Sequence, residues 1–178
     1  MSHSANKPLL SFAIRPCWLG LVLVATTSQG ICAIALGDTS EALTIQLQRD
    51  FPQAQLCQDN PAFATWVEQV LRLMEAPQSA VDLPLNTQGT AFQQRVWQLL
   101  QTIPPGKTLS YGDVATKMGN PRAVRAVAQA CAKNPVAVAI PCHRVVGSDG
   151  SLKGYRWGRD RKQALLAKEA ELTRSTGD

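Results

Sequence analysis

The chain has 178 residues, of which 45% are hydrophobic and 17% are charged. This composition fits one globular unit or two small subdomains that share a core, and it excludes an extensively disordered protein. The net charge of +5 is unevenly distributed, because residues 1–119 carry seven basic and eight acidic residues whereas residues 120–178 carry eleven and five. The basic second half favours a polyanionic partner, although a solvated face that keeps the protein in solution would explain the same charge equally well.

The N-terminal segment has two readings. Lys7 and Arg15 precede an apolar run over 17–25 that is similar to a secretory signal, but the run is too short to cross a membrane. Turn-forming residues separate the β-prone segments 18–25 and 31–36, which predicts a β-hairpin behind a loose tail at 1–10. We therefore reject secretion and expect a cytoplasmic protein.

The cysteines and histidines bear on metals, disulfides and cofactors. The chain has five cysteines, an odd number, and no Cys-x-x-Cys pair, which favours free thiols in a reducing compartment. The histidines are His3 and His143, and no two possible ligands have finger-like spacing, so we predict no bound metal. Neither a phosphate-binding loop nor a dinucleotide fingerprint is present, so we predict no cofactor.

Helical periodicity organises the rest of the first half. We predict a helix over 39–50 with Ser40 as its cap, and a second over 61–74 whose apolar stripe packs into the core. A strand follows over 81–85. Prolines and a glycine near residue 86 mark a boundary, and we expect an α/β subdomain at 1–86 and a second domain at 87–178.

The second half is predicted to be mainly helical. A helix over 91–103 ends at Pro104-Pro105-Gly106. Ser110 caps a short helix over 111–118 that Gly119 ends, and another helix starts at Pro121 and runs to 133. The tight turn between the last two gives a helix-turn-helix pattern, which many unrelated helix pairs also show.

The most informative stretch is Ile-Pro-Cys-His-Arg-Val at 140–145. The apolar run 136–140 predicts a strand that Pro141 ends, so Cys142 would stand at a strand end. A thiolate is a strong nucleophile when a base or a positive charge lies nearby, and His143 and Arg144 could supply both.

This string resembles the active-site signature of the O6-alkylguanine-DNA alkyltransferases. The resemblance covers 91–170 closely and includes Ser-Tyr-Gly at 110–112, Arg-Ala-Val-Arg-Ala-Val at 122–127 and Gly-Tyr-Arg-Trp-Gly at 154–158. It implies an α+β fold: an N-terminal small β-sheet with flanking helices (ribonuclease H-like), followed by a mostly helical domain with a winged helix-turn-helix.

The resemblance also implies a reaction. Cys142 would attack the alkyl carbon on O6 of guanine, with His143 as its base through one bound water and Glu169 orienting the histidine. Read without the family, Glu169 is a surface carboxylate beside Lys168, in a helix that we predict over 162–172. A thioether is inert and nothing in the chain could remove it, so each molecule would act once.

The implied partner is double-stranded DNA that contains O6-alkylguanine, bound through the minor groove by a monomer with the damaged nucleotide flipped out. Arg125 would fill the gap left in the stack, and it could equally be an ordinary surface charge. The residues that match family positions holding the DNA are Arg125, Tyr111, Gly112, Asn120, Ala123, Ala126 and Ser148. Those that match the substrate pocket are Tyr111, Asn134, Val145, Tyr155, Arg156 and Trp157.

Some of these residues also have plain structural explanations. Tyr111 could be an exposed residue at a helix start, and Asn134 a helix cap. Trp157 stands where some family members have glycine, so we predict a narrow pocket that accepts methyl well and bulky aryl groups poorly.

Three other functions compete with alkyl transfer. A damage sensor of the alkyltransferase-like kind replaces the reactive cysteine, and Cys142 argues against it. A regulator would fuse this domain to zinc and DNA-reading modules, for which we expect no room in 178 residues. A cysteine hydrolase would leave the alanine-rich segment at 122–132 unexplained.

Overall fold

The first half is built on a four-stranded sheet. The computed structural model describes residues 6–177. Its strands are β1 (Leu9–Cys17), β2 (Gly20–Thr27), β3 (Gly30–Gly37) and β4 (Gln55–Gln58), in the order β3-β2-β1-β4. β1–β2 and β2–β3 are antiparallel, and β1–β4 is parallel. The predicted hairpin is confirmed as β2–β3.

The sheet begins earlier than the sequence predicted. Residues 9 and 10, expected in the loose tail, open β1 and pair with β4, while residues 1–5 of that tail lie outside the described part. Pro16 obscured β1 because proline is rare in paired strands, but here it stands one residue from the strand end. The short strand β4 was not predicted.

Helices cover both faces of this sheet. α1 (Ser40–Asp50) packs Leu43 and Leu47 on one face. α2 (Ala64–Glu75) follows a 3-10 turn at Pro61–Phe63 and packs on the other. Both predicted helices are confirmed, but the cap of α1 is Thr39, whose Oγ1 accepts from Ala42 N at 3.2 Å, and not Ser40.

The strand predicted at 81–85 is wrong. Only Leu85 makes a bridge, to Ile31. Pro84 lacks an N–H donor, so it contributes only its carbonyl, which accepts from Ile31 N at 2.7 Å.

The second half contains the helices α3 (Ala91–Leu100), α4 (Tyr111–Lys117), α5 (Val124–Ala132) and α6 (Arg159–Ser175). All four were predicted, with shifted ends. Ser110 caps α4 as predicted, because its Oγ accepts from Asp113 N at 2.9 Å. α4 and α5 pack on each other across a turn at Gly119, whose φ is +82°.

The strand predicted at 136–140 is also wrong, and Cys142 does not stand at a strand end. Val136 makes one bridge to Ile34, and tight turns follow, with Val138 at a φ of +65°. A short apolar run does not distinguish a strand from a buried loop. Cys142 instead opens a 3-10 turn, Cys142–Arg144.

One hydrophobic core joins the two halves. It contains Val22 and Ile34 from the sheet, Val70 from α2, Trp97 from α3 and Leu165 from α6. The fold is therefore a mixed α+β arrangement in which the first half supports the second. No helix among residues 6–177 is both long enough and apolar enough to cross a bilayer.

Candidate active site

A two-stranded parallel pairing brings the cysteine turn next to α4. β5 (Leu109–Ser110) pairs with β6 (Val145–Val146). β5 leads directly into Tyr111 at the start of α4, and β6 leaves the turn that begins with Cys142. Residues that are 31 positions apart, Tyr111 and Cys142, consequently line one cavity.

The thiol of Cys142 is held by an amide. Cys142 is 3% exposed, and Asn134 Nδ2 donates to its Sγ at 3.1 Å. The same Nδ2 donates to the carbonyl of Ile140 at 2.8 Å, and Asn134 Oδ1 accepts from Val136 N at 3.0 Å. The Asn134 side chain thus fixes the cysteine turn, and it does not cap the carbonyls of α5.

Burial raises the pKa of the Cys142 thiol to about 11, against the lowering effects of Asn134, Lys162 and Arg156. The sequence pointed to His143 and Arg144 as the source of positive charge, but Arg144 faces elsewhere. The resting thiol is therefore protonated at neutral pH, and its proton must leave during the reaction.

His143 is buried and neutral. Burial lowers the pKa of its imidazole, although Glu169 acts in the opposite direction. Nε2 lies 2.7 Å from Glu169 Oε1, and because the ring is neutral Nε2–H donates to the carboxylate and Nδ1 is the acceptor. Nδ1 has no hydrogen-bond partner within residues 6–177, so it is free to take a proton.

Glu169 is the centre of a buried charge cluster. Arg144 Nε donates to both of its oxygens, at 3.1 and 3.0 Å, and Arg144 Nη2 donates to Oε1 at 2.7 Å. Burial acts to raise the pKa of the Glu169 carboxyl, but the hydrogen bonds from His143 and Arg144 outweigh it and bring the pKa to about 2. Glu169 is a buried carboxylate and not the surface group that its neighbour Lys168 could have indicated.

The thiol faces a cavity of about 460 Å³. Of the predicted pocket residues, Tyr111, Tyr155 and Arg156 line this cavity. Trp157 is buried behind it and contacts Tyr155 edge to face, with ring centroids 5.3 Å apart. Val145 is fully buried in β6 and, like Trp157, is not part of the cavity wall.

Helix α5 forms another wall of the cavity. Arg125, Ala128 and Cys131 line it. Arg125 is exposed, and so are Asn120 in the turn before α5 and Ser148 on the loop after β6. Ala123, Ala126 and Gly112 are partly exposed. The residues predicted to hold DNA therefore reach the surface from α4, α5 and the loop after β6.

Sequence reasoning missed Lys162 and Cys131. Lys162 is fully buried, its Nζ lies 3.5 Å from the Tyr111 hydroxyl, and burial lowers the pKa of its ammonium group. Its position in α6, three residues before Leu165 and seven before Glu169, places it on the buried face, which was a usable signal. No sequence pattern marked Cys131 as part of the cavity wall.

Within residues 6–177, no group of three or more His, Cys, Asp or Glu side chains has a geometry suited to a metal ion. His3 lies outside the described residues. The five cysteines are all free thiols.

Comparison with known proteins decides the family. Residues 91–171 match the family model described as 6-O-methylguanine DNA methyltransferase, DNA binding domain. The chain is 50% identical over 112 residues to the methylated-DNA–protein-cysteine methyltransferase of Mycolicibacterium paratuberculosis, covering 62% of this chain and 68% of that protein. It belongs to the O6-methylguanine-DNA methyltransferase family.

Solved structures of this methyltransferase family have the same fold. The O6-methylguanine methyltransferase of Mycobacterium tuberculosis is similar with a TM-score of 0.75 and 34% identity, over 91% of this chain and 93% of that one. A structure of the Mycobacterium tuberculosis protein in complex with DNA is similar with a TM-score of 0.76 and 34% identity, over 90% and 93%.

A longer relative matches almost the whole chain. The bifunctional transcriptional activator/DNA repair enzyme Ada of Escherichia coli K12 is 48% identical over 169 residues, which are 95% of this chain and 48% of Ada. The chain therefore spans about half the length of Ada.

Proposed function

We propose that this protein is a DNA-repair methyltransferase that moves the alkyl group, mainly methyl, from O6 of guanine in DNA to Sγ of Cys142. The observation that carries the proposal is a buried thiol, held by Asn134, that opens into a cavity walled by helix α5. The similar proteins named for methyl transfer to cysteine, and the similar structure named as a complex with DNA, support the same reaction.

In the proposed step one bond to the alkyl carbon replaces another, and one proton moves from the thiol to the guanine. Sγ of Cys142 bonds to the alkyl carbon as the carbon–O6 bond breaks. The thiol proton passes through one water to His143 Nδ1, which is buried and has no partner among residues 6–177. Glu169 holds the opposite ring nitrogen and stabilises the positive charge that forms on the ring. The imidazolium then returns this proton to the departing guanine through solvent, so one S–C bond and one protonated guanine replace one S–H bond and one C–O6 bond, and His143 ends neutral.

The product explains why each molecule would act once. A thioether has no good leaving group, and the proposed mechanism includes no second nucleophile that could remove the alkyl group. We propose that the alkylated protein is the end state, so the amount of repair equals the amount of protein.

Recognition of DNA would use α4 and α5 as a winged helix-turn-helix in the minor groove. O6 of guanine is buried in the stack, so the nucleotide must rotate out, at a cost of about a few kcal/mol. Arg125 is exposed and lines the cavity, a position from which it can fill the gap in the stack. Tyr111 begins α4 beside the same cavity and would contact the flipped nucleotide.

Arg125→Ala separates DNA recognition from chemistry. We expect slower transfer from a duplex containing O6-methylguanine and an unchanged rate with the free base O6-benzylguanine. Arg72→Ala, which removes an exposed arginine from α2, is the control and should change neither rate.

The finer features of the fold are part of the proposal. We assign a ribonuclease H-like first domain at 1–86 and a DNA-binding catalytic domain at 87–178. We also propose that the protein acts as a monomer in the cytoplasm. The sheet with helices on both faces supports the first domain, and the match at 91–171 supports the second.

The proposed pocket favours small alkyl groups. Tyr155 lines the cavity and Trp157 supports it from behind. A large aryl group would have to displace both rings, so benzyl transfer should be slower than methyl transfer.

The deciding experiment measures the intact mass of the protein after incubation with a duplex that contains one O6-methylguanine. A gain of about 14 Da, one methylene equivalent, is the expected result, and Cys142→Ser should abolish it. Tight binding without a gain in mass would identify a damage sensor. Turnover of ester or amide substrates without alkylation would favour a cysteine hydrolase.

A further inference from the structure

The side chain of Arg156 connects two cavities. It lines the cavity of about 460 Å³ that contains Cys142, and it also lines a second cavity of about 440 Å³ whose walls include Asp50, Phe51 and Pro135. Its side chain is 26% exposed. Arg156 therefore stands between the active site and the joint of the two halves.

Arg156 makes one bond into each half. Nη2 donates to Asp50 Oδ2 at 2.8 Å, across 106 residues of sequence. Nη1 donates to the backbone carbonyl of Asn134 at 2.9 Å. Because the amide of Asn134 bonds Cys142 Sγ, a continuous series of polar contacts runs from Asp50 to the nucleophile.

Asp50 is itself held in place. It is the last residue of α1, and its Oδ1 accepts from Gln46 Nε2 at 2.9 Å, one helical turn earlier. Each carboxylate oxygen thus has its own donor, and the oxygen that meets Arg156 projects from a rigid helix of the first half.

The segment 154–158 is anchored at its C-terminal end, where Trp157 is buried in the core and packs edge to face on Tyr155. It contains neither helix nor strand, and a Cβ added at Gly154 would meet nothing within 4 Å. The remaining contacts include the carbonyl of Trp157, which accepts from Arg161 Nη1 at 3.1 Å. The Arg156–Asp50 ion pair adds a tie from this segment to the first half, next to Tyr155, which lines the Cys142 cavity.

We propose that Asp50 is a positioning residue for specificity, which acts through Arg156 to hold the segment 154–158 closed over the cavity and so limits the size of the alkyl group. The inference rests on the proposed alkyl transfer. Asp50 touches no substrate in this scheme. Its loss lets the segment move outward, which benefits a bulky group and does nothing for methyl.

The test compares two second-order rate constants by intact mass, one for free O6-benzylguanine and one for an O6-methylguanine duplex. Asp50→Asn should raise the benzyl-to-methyl ratio about two- to fivefold, the effect of one partly exposed ion pair. Asp50→Glu keeps the charge and should move the ratio back toward the wild-type value.

Two further variants separate positioning from general destabilisation. Glu75→Gln breaks another ion pair between the halves, with Lys168 at 3.7 Å, away from the cavity, and should leave the ratio unchanged. In an Arg156→Gln background, Asp50→Asn should add nothing, because its partner is already gone.

Three results would overturn the inference. The first is that both rate constants of Asp50→Asn stay at their wild-type values. The second is an equal fall of both rate constants, which is the signature of a merely structural role. The third is a full additional effect of Asp50→Asn when Arg156 is absent. If the wild-type protein takes an alkyl group from neither substrate, the proposed function itself fails, and that result is distinct from the other three.

Discussion

Asn134 holds three parts of the site with one side-chain amide. It donates to Cys142 Sγ and to the carbonyl of Ile140, and it accepts from Val136 N. The family resemblance placed Asn134 near the pocket, but the bond to sulfur depends on the turns at 136–141, which periodicity did not reveal. A polar residue that is 0% exposed must have partners of this kind.

Replacing Asn134 with Ala should weaken both chemistry and folding. The donor that lowers the pKa of the Cys142 thiol is removed, so methyl transfer should slow and its pH profile should shift upward. Val136 N–H and the Ile140 carbonyl lose a buried partner, so the free energy of unfolding should fall by about 1–3 kcal/mol. Transfer rates by intact mass and urea denaturation measure the two effects.

Asn86→Ala provides the matched control for Asn134→Ala. Asn86 is a partly buried asparagine of the first half whose Nδ2 donates to Thr27 Oγ1 at 2.9 Å. The Asn86→Ala substitution should lower the free energy of unfolding modestly and leave the transfer rate of the folded protein unchanged. A transfer rate in Asn134→Ala equal to the control's would show that the amide does not assist the thiol.

The buried His143–Glu169 pair makes stability depend on pH. The pKa of His143 is below its usual 6.5 in the folded protein, so the unfolded chain takes up this proton first and stability falls as pH drops below 6.5. The pKa of Glu169 is about 2 when folded, against 4.5, so a second loss follows as pH drops below 4.5 toward 2. Urea denaturation from pH 8 to pH 3 should show both losses.

Glu169→Gln tests which part of this profile belongs to the carboxylate. The variant should be less stable at neutral pH, because Arg144 is left buried without its counter-charge. It should also show a shallower fall in stability below pH 4.5. A wild-type profile that is flat over the same pH range would contradict the assignment of buried, ionised Glu169.

At the scale of elements, the sequence predicted those whose ends are encoded locally. Ser110 as a cap and Gly119 as a stop for α4 are side-chain and backbone preferences that a sequence displays. The strand prediction for 136–140 is wrong because Val138 adopts a positive φ that valine rarely takes. Tertiary contacts enforce that turn, and among them Ala137 N donates to the carbonyl of Ile34 at 2.9 Å.

In the turn between α3 and β5, Gly106 contacts the active-site residue Glu169. Its φ is +82°, and its N–H donates to Glu169 Oε2 at 3.3 Å. A Cβ there would lie 2.4 Å from Thr173 Cγ2 on α6. Gly106→Ala should therefore lower the free energy of unfolding by about 1–3 kcal/mol, through backbone strain and this clash, and chemical denaturation measures the loss.

Gly119→Ala isolates the strain from the clash. Gly119 has the same φ of +82°, but a Cβ there would meet nothing within 4 Å. The Gly119→Ala variant should lose less stability than Gly106→Ala. Adding Thr173→Ala to Gly106→Ala should recover part of the stability lost at Gly106. Equal losses at the two glycines would show that the contact with Thr173 is unimportant.

At the scale of the molecule, basic residues of the second half also form ion pairs with the first half. Three basic side chains of residues 120–178 pair with acidic residues of the first half: Arg156 with Asp50, Arg161 with Asp38, and Lys168 with Glu75. Arg144 and Lys162 are buried as well. Five of the eleven basic residues therefore serve the fold or the site, and the net charge alone overstated the basic surface that a polyanionic partner could use.

The shared core also predicts that the two halves unfold together. Ile34 is fully buried in β3, and its N–H donates to the carbonyl of Pro135 at 3.0 Å, next to the cysteine turn. Ile34→Ala should cost about 2–5 kcal/mol of unfolding free energy. Loss of tryptophan fluorescence and loss of methyl transfer should occur at the same, lowered urea concentration, because one core supports both.

The exposed Ile45 provides the comparison for the same chemical change. It lies on α1 and is 40% exposed, so Ile45→Ala should barely shift either transition, since little buried surface is lost. The core includes residues from both sides of the proposed boundary near residue 86, which predicts one cooperative unit. Methyl transfer that disappears at a urea concentration where fluorescence is still native would mean that the second half unfolds by itself and that the core does not couple the halves.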